Sequence, residues 1–432
     1  MIVSNPKTTL TKPEVYESKR IRLTSQILHI GSEVQRLNPF EYVQTSNRVY
    51  LPHSDSLAKA LKQQGYLDDY IKAIKARQSI VGLLENAFGE ENWQNAKDPN
   101  NQPIFPKLFS SRKWPEGQVT DLRPMIRNGM GQFYLPGSSI KGAIRTAIAY
   151  HLLKHADKYQ VPQQHRVSAI EEKLRETIGG GGLSKFKQKW LDDDLFERNL
   201  FSNFDLSYQG QLIRAKLGPN TDFMRAIQVT DSQPLVEHTV PNKQGKELPY
   251  NIPVVAEVMV SSHYPNWQAK YRASIYAEMV VKVRTEFTLS LDPKMLSWFS
   301  HQRGMKLPFQ NLEDILNICQ EFAQDQWKFE HNYWENIKNN AKDNGRNLDF
   351  SGIRDIYEAE KCPHSLRLGW GSGMGGTTVN LLFTDDLVAN IRDACGIRAP
   401  GFKAPKSRRT VVSHQGEIKY VPGWVKFMEL KN

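Results

Sequence analysis

Residues 135–147 read Leu-Pro-Gly-Ser-Ser-Ile-Lys-Gly-Ala-Ile-Arg-Thr-Ala, and the interpretation of the whole chain starts from this stretch. Its proline–glycine pair marks a turn, Ser138 and Ser139 are suitable helix N-caps, and large aliphatic residues follow at helical spacing. The pattern therefore predicts a turn that leads into a central helix over residues 138–160. A loop that enters a helix in this way directs several backbone N–H groups, and the positive end of the helix dipole, at one point.

Two basic residues favour an anion at that point. Lys141 and Arg145 are four residues apart, so they lie on one face of the helix near its start. The obvious ligand is a phosphate. The stretch is not a nucleotide-binding P-loop, because Gly142 is followed by Ala143-Ile144 and not by the hydroxyl residue that binds magnesium. An ordinary capped helix with two solvated cations is the alternative interpretation.

Five segments of the chain together resemble the RAMP superfamily, the RNA-binding subunits of CRISPR effector complexes. The most specific is Tyr-Leu-Pro-Gly-Ser-Ser-Ile-Lys-Gly-Ala-Ile-Arg at 134–145, which resembles a signature of that family. Residues 20–32 resemble its first strand and the Ile-Gly-Ser turn, and Phe-Met-Arg-Ala-Ile-Gln-Val-Thr-Asp-Ser at 223–232 resembles a later strand. The segment 366–376 is similar to its glycine-rich loop. With the ending at 405–424, the spacing is most similar to the terminal RAMP subunit of the type III-A (Csm) complex.

The resemblance implies an α+β fold class. We expect a ferredoxin-like (RRM-like) RAMP core with helical insertions in residues 1–232. A second β-rich lobe, which carries the glycine-rich loop and a basic tail, would occupy residues 233–432. The order of predicted strands and helices also favours α+β over a helical bundle or a doubly wound sheet. A run of glycines at 179–182 is a predicted joint between helices.

By the same resemblance, the chain would be a non-catalytic crRNA-binding subunit that caps the 3′ side of the guide in a type III effector complex. It would support crRNA maturation and antiviral defence. The expected partners are crRNA, with target RNA as a further candidate, the neighbouring backbone RAMP subunit, other type III subunits and host nucleases. Two alternatives stay open: a RAMP-type, metal-independent endoribonuclease that processes precursor crRNA, and a RAMP subunit of another type III subtype.

The composition favours a polyanionic partner. The 432-residue chain has a net charge of +11, and its mean hydropathy of −0.55 argues against a membrane protein. No apolar run is long enough to span a bilayer, and the polar start from Met1 to Lys12 does not resemble a signal peptide. The three cysteines form no Cys-x-x-Cys pair, so the expected compartment is a reducing cytoplasm.

A stretch that leads into the central helix mixes cations with aromatic residues. From Lys107 to Arg145 there are seven basic residues and two acidic ones. Bases stack on aromatic rings while cations follow phosphates, so this mixture suits single-stranded RNA. A solvated irregular loop is the alternative interpretation. The aromatic residues concerned are Phe109, Trp114, Phe133 and Tyr134.

The glycine-rich loop and the tail are predicted to shape a groove for RNA. The loop matches G-x-G-x-x-G, but a dinucleotide site needs an acidic residue about twenty positions later, and Asp385 and Asp386 come too early. A backbone without side chains lets a phosphodiester or a base approach closely. The tail at 396–426 has seven basic residues and one acid. The alternative interpretations are a tight turn for the glycine-rich loop and a solvated basic loop for the tail. The candidate RNA contacts are Gly371, Gly373, Gly375, Gly376, Arg408 and Arg409.

The sequence offers little for catalysis. His29, near the end of the first predicted strand, is the candidate acid–base residue of a nuclease and a further candidate RNA contact, although a packed histidine is the commoner outcome. By resemblance, RAMP subunits that cut target RNA use an aspartate in the loop after the first strand. Residues 31–50 contain only Glu33 and Glu41 as acids, so no catalytic residue is expected.

No metal site or cofactor is expected either. His151 and His155 have the spacing of the histidines in an H-E-x-x-H zinc helix. However, Leu152 stands where that motif has glutamate, and no third ligand is evident from the sequence.

Overall fold

The structure, a computed structural model, describes residues 16–90, 92–180, 193–213, 218–396, 399 and 401–431. These residues form one eleven-stranded mixed β-sheet, one three-stranded sheet and two two-stranded sheets, with helices distributed along the chain. This confirms the α+β class. No helix among them is both long and apolar enough to cross a membrane. Part of the predicted glycine joint, residues 181 and 182, and the polar start lie outside the described residues.

The strands alternate with the helices along the chain. In chain order they are β1 (Glu17–Leu28), β2 (Val43–Gln44), β3 (Arg48–Tyr50), β4 (Ser110–Lys113), β5 (Phe204–Tyr208), β6 (Gln211–Ile213), β7 (Ile227–Val229), β8 (His238–Pro241), β9 (Glu247–Tyr250), β10 (Ile252–His263), β11 (Ala269–Leu291), β12 (Phe299–His301), β13 (Asn340–Asp343), β14 (Arg346–Leu348), β15 (Leu366–Arg367), β16 (Arg408–Val412), β17 (Ile418–Tyr420) and β18 (Trp424–Glu429).

The α-helices vary in length from a single turn to seven turns. In chain order they are α1 (Ser54–Gln63), α2 (Leu67–Ala76), α3 (Val81–Phe88), α4 (Gly137–Lys154), α5 (Val167–Gly179), α6 (Pro293–Leu296), α7 (Leu312–Asn336), α8 (Ser351–Tyr357), α9 (Met374–Thr377) and α10 (Asp385–Ala394). A π-helical segment covers Asp193–Ser202, and short 3-10 turns cover Trp93–Asn95, Lys107–Phe109, Gln163–His165, Phe223–Ala226 and Asn380–Leu382.

The long strand β11 holds the large sheet together. Its second half pairs antiparallel with β1, from Glu17 opposite Leu291 to Leu28 opposite Val280, and its first half pairs with β10. The main strand order is β15-β18-β1-β11-β10-β4-β3-β2, in which only β4 and β10 are parallel neighbours. Valines, isoleucines and aromatic residues in these strands fit the pleated surface and fill both of its faces.

The central helix α4 covers one face of the sheet and packs on α7. Its buried residues, among them Ile140, Ile144 and Ile148, join those of β1 and β11 in the largest hydrophobic core. The predicted range 138–160 was too long. The helix ends at Lys154, and a turn with Gln160 at φ 53° leads into Pro162, which cannot continue a helix.

Two smaller cores lie away from α4. Helices α1 to α3 form an insertion between β3 and β4, with its own core around Leu57, Leu84 and Trp93. The second half of α7, the β13–β14 hairpin and α8 enclose another core, which includes Trp327, Trp334 and Trp424. The proposed division at residue 232 stays a prediction, and the large sheet takes strands from both sides of it.

Two glycines of the 135–147 stretch are expected to respond oppositely to alanine. A Cβ on Gly137 would lie 2.3 Å from the Val229 carbonyl oxygen, whereas a Cβ on Gly142 meets no heavy atom within 4 Å. Gly137→Ala should therefore lower the free energy of unfolding by about 1–3 kcal/mol, as overpacking does. Gly142→Ala should raise it by about 0.5–1 kcal/mol, because alanine is the better helix former. Denaturant unfolding of both variants measures this, and equal effects would contradict the packing of α4.

Candidate nucleic-acid interface

The start of α4 is occupied by the protein's own groups. The backbone N–H of Gly137 donates to Asp231 Oδ1 at 2.7 Å, so a carboxylate already faces the positive end of the helix dipole. Leu135 and Ser232 exchange hydrogen bonds, with the Leu135 N–H donating to Ser232 Oγ at 3.0 Å and the Ser232 N–H donating to the Leu135 carbonyl at 2.9 Å. The segments 134–145 and 223–232, which resemble two motifs of one family, are therefore direct structural partners.

The predicted N-caps were wrong, and the two basic residues of α4 are engaged within the chain. Pro136 is the N-cap, so Ser138 and Ser139 lie inside the first turn. Lys141 Nζ donates to the Ile227 carbonyl at 2.7 Å, and burial lowers the pKa of Lys141. Arg145 forms an ion pair with Asp222 at 2.8 Å, and its guanidinium lies 3.8 Å from the centre of the Phe201 ring. Of Ser138, Ser139, Lys141 and Arg145, Ser138 is exposed and the other three are half-buried. RNA contact by these four residues stays a prediction.

The glycines of the 366–376 loop serve different purposes. Gly371 has φ 99°, and a Cβ there would lie 2.7 Å from Pro422 Cγ, so this glycine allows close packing within the chain. Buried Gly376 packs in the same way against Ser372. Gly373 has φ 71° and no heavy atom within 4 Å of a Cβ position, and Gly375 has only Leu381 at 3.8 Å. A ligand can therefore approach the backbone at Gly373 and Gly375.

The glycine loop and the basic tail meet in one pocket. This loop–tail pocket has a volume of about 130 Å³ and is lined by residues 371–375 and by Arg408, Arg409 and Glu330. Glu330 accepts a hydrogen bond from buried Arg408 Nε at 2.9 Å and also lies 3.9 Å from Arg367. Arg408 is thus neutralised within the protein, while three arginines around one carboxylate leave the pocket positive. The sequence singled out the glycine-rich loop and the basic tail as separate candidate segments, and the structure brings both into one pocket.

Two arginines lie next to the ring of Trp370, and neither has a carboxylate partner among the described residues. The guanidinium groups of Arg123 and Arg409 lie 5.2 and 5.0 Å from the centre of the Trp370 ring, and we name these three residues the Trp370 cluster. Within the described part of the chain, neither arginine has an ion-pair partner within 4.0 Å. The Nε atoms of both are buried without a hydrogen-bond acceptor. An anion at the cluster would supply the missing acceptor and reduce the repulsion between the two cations.

Burial and charge repulsion both act on the Trp370 cluster. The pKa of Arg409 is lowered by burial first, and then by the neighbouring Arg123 and Arg367. The pKa of Arg123 is lowered by burial and by Arg36, against a smaller opposite effect of Asp121. Both side chains stay charged, because an arginine cannot lose its proton in a protein. The cluster is thus a concentration of positive charge beside an aromatic ring, and such a concentration attracts a nucleic-acid phosphate.

His29 lies beneath Trp370 and not at the surface. It is 2% exposed, its Nδ1 lies 2.6 Å from the Glu278 carbonyl oxygen, and its ring meets Trp370 edge-on at 5.3 Å. Burial lowers the pKa of His29 to about 4, so the ring is neutral at pH 7. Its ring is therefore withdrawn from the surface, and the direct RNA contact predicted for it stays a prediction.

A wider groove lies where the cationic and aromatic stretch meets the sheet edge. It has a volume of about 580 Å³, and Tyr50, Phe105 and Phe133 line it together with Arg48 and Lys107. Its other cation, Arg112, forms an ion pair with Glu237 at 2.5 Å. Phe105 and Phe133 are buried, so Tyr50 is the aromatic side chain that is partly open here beside Arg48 and Lys107. Of the four aromatic residues that the sequence pattern singled out, Phe133 is the one that lines this groove.

Not every cation of that stretch is available. Arg127 donates two hydrogen bonds to the buried carboxylate of Glu278, at 2.8 and 2.9 Å. Trp114 stacks on Tyr420 with ring centres 5.9 Å apart, on the sheet face that also carries Trp370. Sequence analysis did not select Trp370 or Arg123 as site residues. Trp370 lies inside the glycine-rich segment and Arg123 inside the cationic stretch, so each was in a region already marked.

Comparison with known proteins identifies the family to which the chain belongs. A family model described as the RAMP superfamily matches residues 20–372. Over 204 residues the chain is 24% identical to the CRISPR system Cms protein Csm5 of Enterococcus italicus, a match that covers 39% of this chain and 58% of that relative. The chain thus matches little more than half the length of the curated relative.

Two solved structures are similar over nearly the whole chain. One belongs to a Csm–crRNA–target RNA ternary complex of a type III-A CRISPR-Cas system, with a TM-score of 0.61, 20% identity and coverage of 95% of this chain and 100% of that chain. The other is Csm5 of T. onnurineus, with a TM-score of 0.51, 18% identity and coverage of 94% and 100%. At these identities the likeness shows the fold.

The buried state of His29 predicts a pH dependence of stability. Burial lowers the pKa of His29 to about 4 from an ordinary 6.5, so below pH 6.5 the unfolded chain binds a proton that the folded chain does not. The free energy of unfolding should fall by roughly 1.4 kcal/mol per pH unit from this residue between pH 6.5 and 4. In His29→Asn, the loss between pH 6.5 and 5 should be smaller than in the wild type by about 2 kcal/mol. Denaturant unfolding at both pH values measures the difference.

Gly142→Ala provides the control for this measurement, because it changes stability without changing a titratable group. It should leave the pH dependence of the wild type unchanged. An identical pH dependence in His29→Asn and the wild type would mean that His29 takes up protons equally in the folded and unfolded chains.

Proposed function

The chain belongs to the RAMP superfamily, and from this we propose that it is a non-catalytic crRNA-binding subunit of a type III-A (Csm) effector complex. Its similar curated relative is a Csm5, and a similar solved chain comes from a complex that contains crRNA and target RNA. We place it at the 3′ side of the guide, next to a backbone RAMP subunit. Other type III subunits and host nucleases would be further partners, and a ferredoxin-like core would carry the RNA surface.

The observation that carries this proposal is the Trp370 cluster. Two arginines without carboxylate partners flank one aromatic face, directly beside the loop–tail pocket where the backbone is open at Gly373. Cations attract the phosphates and the indole ring can stack on a base, which is the combination that single-stranded RNA binding uses. The wider groove with Tyr50 and Lys107 offers the same pairing at the sheet edge.

The environment of His29 argues against a catalytic role for this residue. A general acid or base works best with a pKa near the operating pH and with access to the substrate. His29 is buried, has a pKa lowered to about 4, and already bonds to a backbone carbonyl. It meets neither requirement, so we do not assign nuclease chemistry to it.

The first prediction of the proposal concerns Arg409. Arg409→Ala removes an unpaired cation of the Trp370 cluster, so affinity for single-stranded RNA should fall at every sequence tested. The slope of log affinity against log salt concentration should become shallower by about one, as expected for one lost phosphate contact. Fluorescence anisotropy with labelled repeat-derived RNA over a salt series measures both quantities.

Arg175→Ala is the matched control, because it removes the same charge from an exposed arginine that pairs with Asp386. It should leave the affinity and the salt slope close to those of the wild type. If both variants lose affinity equally, the effect is one of net charge, and the Trp370 cluster has no special role.

The second prediction concerns the bound RNA and the partners. The chain purified by affinity from its native host should carry short RNAs that share one repeat-derived 5′ end, together with other effector subunits. Sequencing of the RNA and mass spectrometry of the copurified proteins test this directly. The identity of those subunits also distinguishes type III-A from another type III subtype.

Two results would reject the proposal. Heterogeneous RNA, or a protein that purifies alone and free of RNA, would remove the role in a crRNA complex. A single site-specific cut when the purified protein is incubated with repeat RNA in EDTA would show a metal-independent endoribonuclease, and the chain would then be a processing enzyme.

A further inference from the structure

A group of potential metal ligands lies between α4 and α7, away from the Trp370 cluster. His151 lies in the last turn of α4, and His155 is the residue that directly follows the helix. Their ring centres are 4.6 Å apart. Glu321 reaches them from α7, so that one ligand atom from each of the three residues lies within 4.8 Å of the others. Two histidines alone would be too few ligands for a metal ion. The carboxylate from the second helix completes a three-ligand set.

The three side chains already point at one another. His155 Nε2 lies 2.7 Å from Glu321 Oε1, and His151 Nδ1 contacts Glu321 Oε2. Both imidazoles thus direct a nitrogen at the same carboxylate. A cation between the three groups would replace these hydrogen bonds with coordination bonds after small shifts of side chains, without a change in the backbone of either helix.

The surrounding residues fix the orientation of the ligands. His151 Nε2 lies 2.8 Å from the Tyr159 hydroxyl, which leaves Nδ1 as the nitrogen that faces the site. Metal-bound histidines commonly use their second nitrogen in this way. Lys154 Nζ bonds to Glu321 Oε1 at 2.8 Å and to Asp325 Oδ2 at 2.5 Å. Lys158 also interacts with Glu321 and His151, so two ammonium groups offset the two carboxylates here, and a cation would have to displace Lys154 from Glu321.

The site is reachable from solvent. The side-chain exposures of His151, Glu321 and His155 are 11%, 27% and 36%, so an ion can enter and a water molecule can complete its coordination. Two imidazole nitrogens and one carboxylate oxygen form a ligand set that zinc accepts with a water as fourth ligand. Imidazole ligands are less suited to magnesium or calcium, which prefer oxygen.

We propose that His151, His155 and Glu321 bind one divalent cation of the zinc class, which joins α4 to α7. The ion would fix the helix that begins at the 135–147 stretch against the longest helix of the chain. Its role would be structural, and it is independent of the proposed RNA binding. No such site was expected from the sequence, because the third ligand lies far away along the chain, on another helix.

The test is binding of Zn²⁺ and Co²⁺ to the purified full-length chain after treatment with a chelator. Isothermal titration with Zn²⁺ should give one equivalent per chain, and Co²⁺ should produce visible absorption bands of low-coordinate cobalt. The unfolding temperature should rise with Zn²⁺ concentration, because the ion binds the folded state. In His155→Ala and Glu321→Gln, affinity should fall more than about tenfold, as loss of a direct ligand requires.

His331→Ala is the matched control. His331 and Glu335 form an exposed histidine–glutamate pair on α7, 3.9 Å apart, which has no third ligand assigned to it among the described residues. This variant should bind Zn²⁺ like the wild type. Circular dichroism without metal establishes that each variant is folded, and His155→Gln serves as a second variant if alanine prevents folding.

The proposal is overturned if the wild-type chain binds no stoichiometric Zn²⁺ or Co²⁺. It is also overturned if folded His155→Ala and Glu321→Gln bind as tightly as the wild type, or if His331→Ala loses the same affinity. RNA binding measured in the same preparations separates this proposal from the RNA-binding one, because neither outcome depends on the other.

Discussion

The contact between residues 135–141 and 227–232 sets the position of everything that packs on α4. Four hydrogen bonds, from Gly137 to Asp231, from Lys141 to the Ile227 carbonyl and two between Leu135 and Ser232, fix the start of the helix to β7 and the residues just after it. Strand β7 in turn pairs with β11. A Cβ at Gly137 has no room, so the approach is close. With α4 fixed, its isoleucines meet the sheet, and its far end meets α7.

Several cations of the chain are already paired within the protein and are less available to a ligand. The net charge of +11 favours polyanions, but Lys141, Arg145 and Arg127 each bind an oxygen of the same chain. Arg123 and Arg409 do not, and their position on Trp370 makes them the stronger candidates for a phosphate. A basic residue next to a signature is therefore a weaker indication of ligand binding than a basic residue that the fold leaves unpaired.

The sequence predicted what depends on neighbours along the chain. Helical spacing located α4 and its buried isoleucines, and β10 and β11 lie in the region 233–432 that was expected to be β-rich. It did not predict that Asp231 occupies the start of α4, that Arg123 joins Arg409 on one ring, or that Glu321 faces the two histidines. Each of these contacts joins residues from distant segments, and such pairings arise from tertiary packing, about which local spacing carries no information.

The place of β1 in the sheet has a consequence for biosynthesis. This strand lies between β11 and β18, and its pairing with β18 brings Ser25 opposite Val425. At ordinary elongation rates on the order of tens of seconds separate the synthesis of these two strands. Until β18 is made, one edge of β1 is unpaired and can pair with other nascent chains. The order of synthesis therefore makes β18 the strand whose arrival protects that edge of β1.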